Sequence, residues 1–194
     1  MRVVQETPNL FRLTRLGNIN CFLVRETDGF TLIDTNLPGS AGAIQRAAVR
    51  LGSPIRRIAM THAHIDHVGS LDALCASLPH VEFVIGQRES RLLRRDFTLD
   101  AGSYIDVRDN SLIAGDALVT QFGLVAAGVL RPFFPFAALF SWNRLLAVKS
   151  ASRLQQLMPS LLASGHGSTL PSPAQALDAA VEEAFRQFPE AKES

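Results

Sequence analysis

The chain has 194 residues, 47% of them hydrophobic and 19% charged, which suits a single globular domain with a sizeable core and argues against a disordered chain. Nineteen basic residues against eighteen acidic ones leave a formal net charge of +1, so no global field favours nucleic acid or an anionic membrane surface. Two cysteines exclude a disulfide framework, and the first eight residues lack the apolar run of a secretory signal, which makes the cytoplasm the expected compartment.

In chain order, Leu10 to Leu13, Cys21 to Val24 and Phe30 to Ile33 are strand-like, with turn signals at Gly17-Asn18 and Asp28-Gly29, so residues 2–34 read as a meander. Asn36-Leu37-Pro38-Gly39 breaks this pattern. Ala43, Ile44, Ala47, Ala48 and Leu51 then recur at helical spacing, predicting a helix over 41–51 that Gly52 ends. Asp34, at the end of its strand, suits either a turn cap or a carboxylate that orients metal-binding histidines from behind.

A strand over 55–60 leads into Thr61-His62-Ala63-His64-Ile65-Asp66-His67-Val68-Gly69-Ser70, which holds three of the chain's five histidines within six residues. Residues two apart in an extended chain face the same side, so His62, His64 and Asp66 are expected to point together. A turn into a following helix would bring His67 round from another direction. Imidazole nitrogens and a carboxylate at this density suit a borderline divalent cation such as zinc, and a polar surface loop does not account for them.

A helix over 71–78 stops at Pro79. His80 lies beyond it, roughly 12 Å from the helix start at about 1.5 Å per residue, and reads as structural. A strand over 81–85, a basic helix over 88–95 and a strand over 111–114 follow, the last delivering Asp116 at its C-terminal end, where open α/β sheets place their chemistry. Residues 117–142 carry one charged side chain, Arg131, among many apolar ones including Phe133, Phe134, Phe136 and Phe140. Arg131, Pro132 and Pro135 interrupt this run, so it reads as core, as a wall over an active site or as a subunit interface, and not as a membrane span. A helix over 143–158, a strand over 160–163, a glycine-flanked turn bearing His166, a closing helix over 172–188 and a frayed end over 189–194 complete the chain. Cys21 and Cys75 fall in a predicted strand and a predicted helix and are expected to be buried free thiols.

His62-x-His64-x-Asp66-His67 after a strand resembles the signature of the metallo-β-lactamase-fold hydrolases, the group that includes glyoxalase II-like thioesterases. Asn20-Cys21-Phe22-Leu23-Val24 with Phe30-Thr31-Leu32-Ile33-Asp34-Thr35 resembles that family's N-terminal hairpin. Ala114-Gly115-Asp116 resembles its bridging aspartate, and Ser164-Gly165-His166-Gly167 its last histidine ligand. The resemblance implies an α/β fold, a four-layer αββα sandwich spanning 1–194 as one domain. It also implies a metal centre ligated by His62, His64, Asp66, His67, Asp116 and His166. One metal position would use His62, His64 and a further histidine; the other would use Asp66, His67 and His166, with Asp116 bridging both.

The further histidine is missing. Between His67 and Asp116 the chain offers only His80, and the Gly-His-Thr-Pro-Gly-like loop of the family is absent. Residues 102–110 look like the strand that follows that loop, joined directly to 97–100, so the second sheet is expected to be shortened. Asp100, Ser103 and Tyr104 are the candidates to replace the lost ligand, and self-association is one way to cover the edges left open.

The resemblance implies a metal-dependent hydrolase acting on a small ester-type carbonyl substrate, a thioester or a lactone, through a metal-bound hydroxide. Asp66 would both bind metal and orient the nucleophile. One or two zinc ions are expected, the second position being the better furnished, and iron or manganese also suit these donors. The alternative is a metal-binding but catalytically impaired member with a structural or regulatory role. His64 opposes the oxygen-reducing relatives, which carry glutamate there, and the lack of a basic stripe opposes a nuclease.

Overall fold

The computed structural model describes residues 1–85, 104–132, 136–139, 141 and 143–192. The expected basic helix over 88–95, the stretch 97–100, Ser103 and Phe133, Phe134 and Phe140 lie outside the described residues. The chain divides into two compact units, Met1–Gly102 and Ser103–Ser194.

In the first unit, β1 (Arg2–Gln5), β2 (Leu10–Arg15), β3 (Ile19–Arg25), β4 (Phe30–Ile33), β5 (Ile55–Met60) and β6 (Glu82–Ile85) form one sheet in that order. The first four strands are antiparallel, whereas β4, β5 and β6 run parallel. Parallel neighbours need crossovers. Helices α1 (Ala41–Arg50) and α3 (Leu71–Ser77) supply them, with the single turn α2 (Ile65–Val68) ahead of α3. The register sets Phe11 opposite Leu23, Leu23 opposite Leu32 and Leu32 opposite Ile58. These residues share a core with Ile44, Ala47 and Ala48 of α1 and Leu71 and Leu74 of α3. Burying each large side chain stabilises the unit by about 1.5–3 kcal/mol. Arg25 lies 5.2 Å and 4.9 Å from the ring centroids of Phe11 and Phe30 and donates to the Leu51 carbonyl at 3.0 Å.

The second unit holds β7 (Tyr104–Asp106), β8 (Ser111–Ile113), β9 (Leu118–Val119), β10 (Val125–Ala126), α4 (Phe136–Leu139), α5 (Arg144–Gln156), β11 (Leu161–Ala163), β12 (Leu170–Pro171) and α6 (Ala174–Gln187). Its sheet has the order β12-β11-β8-β7, with β8 and β11 parallel, and β9 and β10 form a separate ribbon. Asn143 caps α5 by accepting from the Leu146 N–H at 3.0 Å. Leu112, Val119, Val125, Val129, Val148, Leu162 and Leu177 belong to its core.

Three expectations change. Residues 189–194 were expected to fray, but Pro189–Ala191 form a 3-10 turn whose Ala191 is buried in this core, because a methyl group is small enough to enter it. Cys21 is buried and its thiol is pushed up by desolvation, whereas Cys75 is exposed. One residue past Leu74, Cys75 is rotated about 100° around α3 from that buried side chain. The run 117–142 is core at Ala117, Leu118, Val119, Val125, Ala126 and Val129 but surface at Phe122, Leu130 and Leu139.

Candidate metal centre

The first unit's candidate ligands are gathered where β4 and β5 end side by side. Asp34 follows β4 and Thr61 follows β5, and parallel pairing of Ile33 with Ala59 brings their loops together. Asp34 is buried with a left-handed backbone, φ 61°, a conformation aspartate tolerates better than most residues. Its Oδ1 accepts the Thr61 N–H at 2.8 Å. Its Oδ2 accepts the Thr61 hydroxyl at 2.7 Å and lies 2.8 Å from Nδ1 of the fully buried His67.

Donor counting then fixes two tautomers. An ionised carboxylate only accepts, so His67 carries its proton on Nδ1 and its Nε2 is the unprotonated nitrogen. The Thr61 hydroxyl proton is committed to Asp34, so its oxygen accepts from His62 Nδ1, 3.0 Å away, which leaves His62 Nε2 unprotonated as well. His64 Nδ1 lies 3.0 Å from that nitrogen, a separation that requires a shared proton or a cation. The His62 and His67 ring centroids are 4.0 Å apart, and Asp66 Oδ2 lies 3.9 Å from His67 Nε2.

Backbone contacts lock the two loops together. The Thr35 N–H and hydroxyl both donate to the His67 carbonyl, at 2.6 Å and 2.8 Å, and the Ser70 hydroxyl donates to the Leu37 carbonyl at 2.7 Å. A Cβ at Gly69 would overlap Pro38 and the Ile65 carbonyl, so the motif's glycine is what lets the loops approach this closely.

In the second unit, Asp116 follows β8 and His166 follows β11, and the pairing of Leu112 with Leu162 sets these ends beside each other. The backbone continues the pairing beyond the strands, Ala114 N–H donating to the Ala163 carbonyl and Gly165 N–H to the Gly115 carbonyl, both at 2.9 Å. His166 Nε2 lies 3.4 Å from Asp116 Oδ2. The His166 turn is held by the Thr120 N–H, which donates to the His166 carbonyl at 3.2 Å, and by the Thr120 hydroxyl, 2.6 Å from the Ser168 carbonyl.

The structure thus brings His62, His64, Asp66 and His67 together in one unit and Asp116 and His166 together in the other. Asp66 does not share the extended arrangement expected for it: His64 is the N-cap of α2, so Asp66 already sits on a helical turn and reaches towards His67 from there. His80 is exposed beyond α3. Tyr104 lies in β7 opposite Ile113, while Asp100 and Ser103 lie outside the described residues. Sequence reasoning missed Thr35, Thr61, Ser70 and Thr120. Thr35 and Thr61 stood beside singled-out residues, whereas nothing in the chain marks Thr120.

Two imidazoles with unprotonated Nε2 atoms, adjacent carboxylates and an aspartate behind one of the rings form a donor set that fits a divalent cation. Comparison with known proteins agrees. Residues 14–102 match the Metallo-beta-lactamase superfamily. The uncharacterized protein YobT of Bacillus subtilis is 35% identical over 210 aligned positions, covering 86% of this chain and 90% of that one. A hydroxyacylglutathione hydrolase of Enterobacter is 34% identical over 83 residues, 43% of this chain and 32% of that protein. Among solved structures, DIM-1 metallo-beta-lactamase superposes with TM-score 0.67 at 14% identity over 96% of this chain and 97% of that one. A metallo-beta-lactamase from Pontibacter korlensis superposes with TM-score 0.68 at 18% identity over 96% and 99%. At such identities these structures show the fold alone, a mixed α/β metallo-β-lactamase fold.

The chain belongs to the metallo-β-lactamase superfamily, a group of metal-dependent hydrolases. The alignment with the Bacillus relative, 210 positions, is longer than this whole chain of 194 residues. That relative therefore carries residues inside the matched region that have no counterpart here. Among the described residues, no helix is long and apolar enough to cross a membrane.

Proposed function

We propose that this chain is a zinc-dependent hydrolase of a small ester-type carbonyl compound, a thioester or a lactone, acting in the cytoplasm as one domain over 1–194. The proposed metal ligands are His62, His64, Asp66, His67, Asp116 and His166. The observation that carries this reading is the Asp34 network, which accepts from His67 Nδ1 directly and holds His62 through the Thr61 hydroxyl, so that Nε2 is the unprotonated nitrogen of both rings. A bound divalent cation would polarise the substrate carbonyl and lower the pKa of a water. His62 and His67 keep their rings oriented through Thr61 and Asp34. In this reading Asp66, whose side chain is partly exposed, both binds metal and orients the attacking water.

A second reading, a metal-binding but catalytically impaired protein, is favoured by one observation. Of five histidines, the one outside the candidate set, His80, is exposed beyond α3, so no histidine beyond the candidate set is at hand to complete a position of His62, His64 and a further imidazole, and His67 is the ring beside His62. Iron and manganese suit the same donors, and self-association would cover open strand edges.

The test is elemental analysis of freshly purified, chelator-free protein beside His62→Ala and His166→Ala, with hydrolysis of a panel of acyl thioesters and lactones. About two zinc ions per chain, one lost with each variant, together with turnover abolished by His62→Ala, is the result expected of a two-ion hydrolase. About one ion, lost with His166→Ala but kept with His62→Ala, and no turnover would replace it with the impaired reading. No bound metal in any sample would end both.

A further inference from the structure

The loop that follows β4 is strained and buried, and it is gripped from two sides. Within six residues Asp34, Asn36 and Gly39 take left-handed backbones, with φ of 61°, 60° and 80°. Aspartate and asparagine tolerate that region without preferring it, and two of them so close together persist only where the surroundings hold them. Asp34, Thr35, Asn36 and Ser40 are all buried. One side of the loop grips the histidine motif. Thr35 donates twice to the His67 carbonyl, the Ser70 hydroxyl donates to the Leu37 carbonyl, and the Ser40 N–H donates to that hydroxyl at 2.8 Å. Pro38 lies so close to Gly69, two residues beyond His67, that a Cβ there would overlap it.

The other side is gripped by the hairpin of β2 and β3. Asn36 Nδ2 donates to the Ile19 carbonyl at 2.9 Å. Arg15, the last residue of β2, donates through Nη1 to the Pro38 carbonyl at 2.8 Å and to the Ser40 hydroxyl at 2.7 Å. Other arginines of this unit are used differently. Arg12, on the same strand, pairs with the Glu6 carboxylate, and Arg57 pairs with those of Asp28 and Glu82. Among the described residues the acceptors of Arg15 are both uncharged and both in this one loop. A guanidinium presents rigid, charge-strengthened donors, so here it acts as a clamp on backbone position.

We propose that Arg15 is a positioning residue for the candidate metal centre. By fixing Pro38 and Ser40 it holds the loop of Asp34 and Thr35 against the His67 turn, and so keeps the His67 ring bonded to Asp34 with Nε2 as its unprotonated nitrogen. The inference goes beyond the hydrolase reading and rests on it for the ion alone, since the orientation of the ring is a property of the chain without metal.

The experiment compares wild type with four variants. Arg15→Met keeps the stem and removes the donors, Arg15→Lys restores one charged donor, Ser40→Ala removes one of the two acceptors, and Arg12→Met breaks the Glu6 ion pair of the same strand. Each protein is measured at a temperature where circular dichroism shows it folded. The first readout is taken without metal, on protein labelled with 15N-histidine: the His67 Nδ1–H resonance and the rate at which its proton exchanges with water. The second is zinc affinity against a competing chelator, with the visible spectrum of the cobalt-substituted protein. Arg15→Met is expected to speed the exchange, to weaken zinc on the order of ten-fold, as loss of a group that orients a metal ligand does, and to shift the cobalt bands. Ser40→Ala should move both readouts the same way by less, Arg15→Lys should recover most of both, and Arg12→Met should lower the melting temperature and move neither. An Arg15→Met protein that loses melting temperature alone, or an Arg12→Met protein that changes as much as Arg15→Met, would overturn the assignment. If wild type takes up no zinc while the Nδ1 proton still responds to Arg15, the metal reading fails and the positioning role stands. Zinc bound by wild type, with neither readout moved by Arg15→Met, does the reverse.

Discussion

The two units hold their candidate ligands by different physical means. In the first, one buried carboxylate does most of the positioning: Asp34 accepts from the Thr61 backbone, the Thr61 hydroxyl and His67 Nδ1, and reaches His62 through Thr61. In the second, Asp116 and His166 are placed by backbone, through the parallel pairing of β8 with β11, its two-bond continuation beyond the strands, and the grip of Thr120 on the His166 turn. A side-chain network depends on the chemistry of its members, so one substitution can undo it. A backbone ladder depends on space and dihedral angles, so the damaging substitutions are those that add atoms. The two halves should therefore fail under different mutations, and that difference can be measured.

The largest effect is expected from Asp34→Ala. Removing the carboxylate leaves the buried Thr61 and His67 donors without their acceptor, which should cost about 1–3 kcal/mol for each donor left unsatisfied and weaken metal binding by about 10–100-fold. Urea denaturation and zinc titration would report the two effects separately. A loss below about 1 kcal/mol, the scale of an ordinary hydrogen bond, would show that the loops hold themselves and that Asp34 is incidental. Asp34→Asn sharpens the point, since an amide of the same shape offers one accepting oxygen where two are used.

Gly167→Ala comes next and probes the ladder. Its φ of +99° and the Thr120 and Gln121 atoms that a Cβ would meet predict a loss of roughly 1–3 kcal/mol. The His62, His64 and His67 geometry should stay unchanged in spectra of the cobalt-substituted protein. A spectrum altered as strongly as in Asp34→Ala would mean that the two halves do not fail independently.

The smallest effect concerns Arg131 and Glu183, an ion pair that joins the segment after β10 to α6. Bonding to Arg131, against a smaller desolvation effect, holds the Glu183 carboxyl below the usual glutamate range. A depressed carboxyl pKa means that this stabilisation is complete above the unfolded value, about pH 4.3, and is lost as the pH falls through the lower folded value. Glu183→Gln should therefore cost no more than about 1 kcal/mol at neutral pH, and its difference from wild type should close in acid. A gap that widened in acid would contradict the sign of this linkage. Metal content should be unaffected, since the pair touches neither ligand set.

Much of this architecture was legible in advance because it follows from local pattern. The meander of β2 to β4, α1, and β5 ending where the histidines begin are all set by apolar spacing and by turn residues such as Gly29 and Pro38. His62, His64, Asp66 and His67 stood out because few arrangements besides a metal site put so many donors into six residues. Thr120 was not legible, since a threonine in an apolar run becomes meaningful only when a chain segment forty-six residues away folds against it. Cys75 was misjudged for a related reason: a helical pattern names a buried face, and a residue near its margin is decided by what packs there.

The sequence by itself determined the family, the candidate donors and the count of five histidines, because composition and spacing are properties of the chain before it folds. Only the tertiary structure decided which atoms of those donors face outward. The tautomers of His62 and His67 depend on a carboxylate about thirty residues upstream, brought alongside by parallel pairing of β4 with β5. Hydrogen-bond direction and surface exposure are relations between distant segments, and they come into existence only when the chain closes on itself.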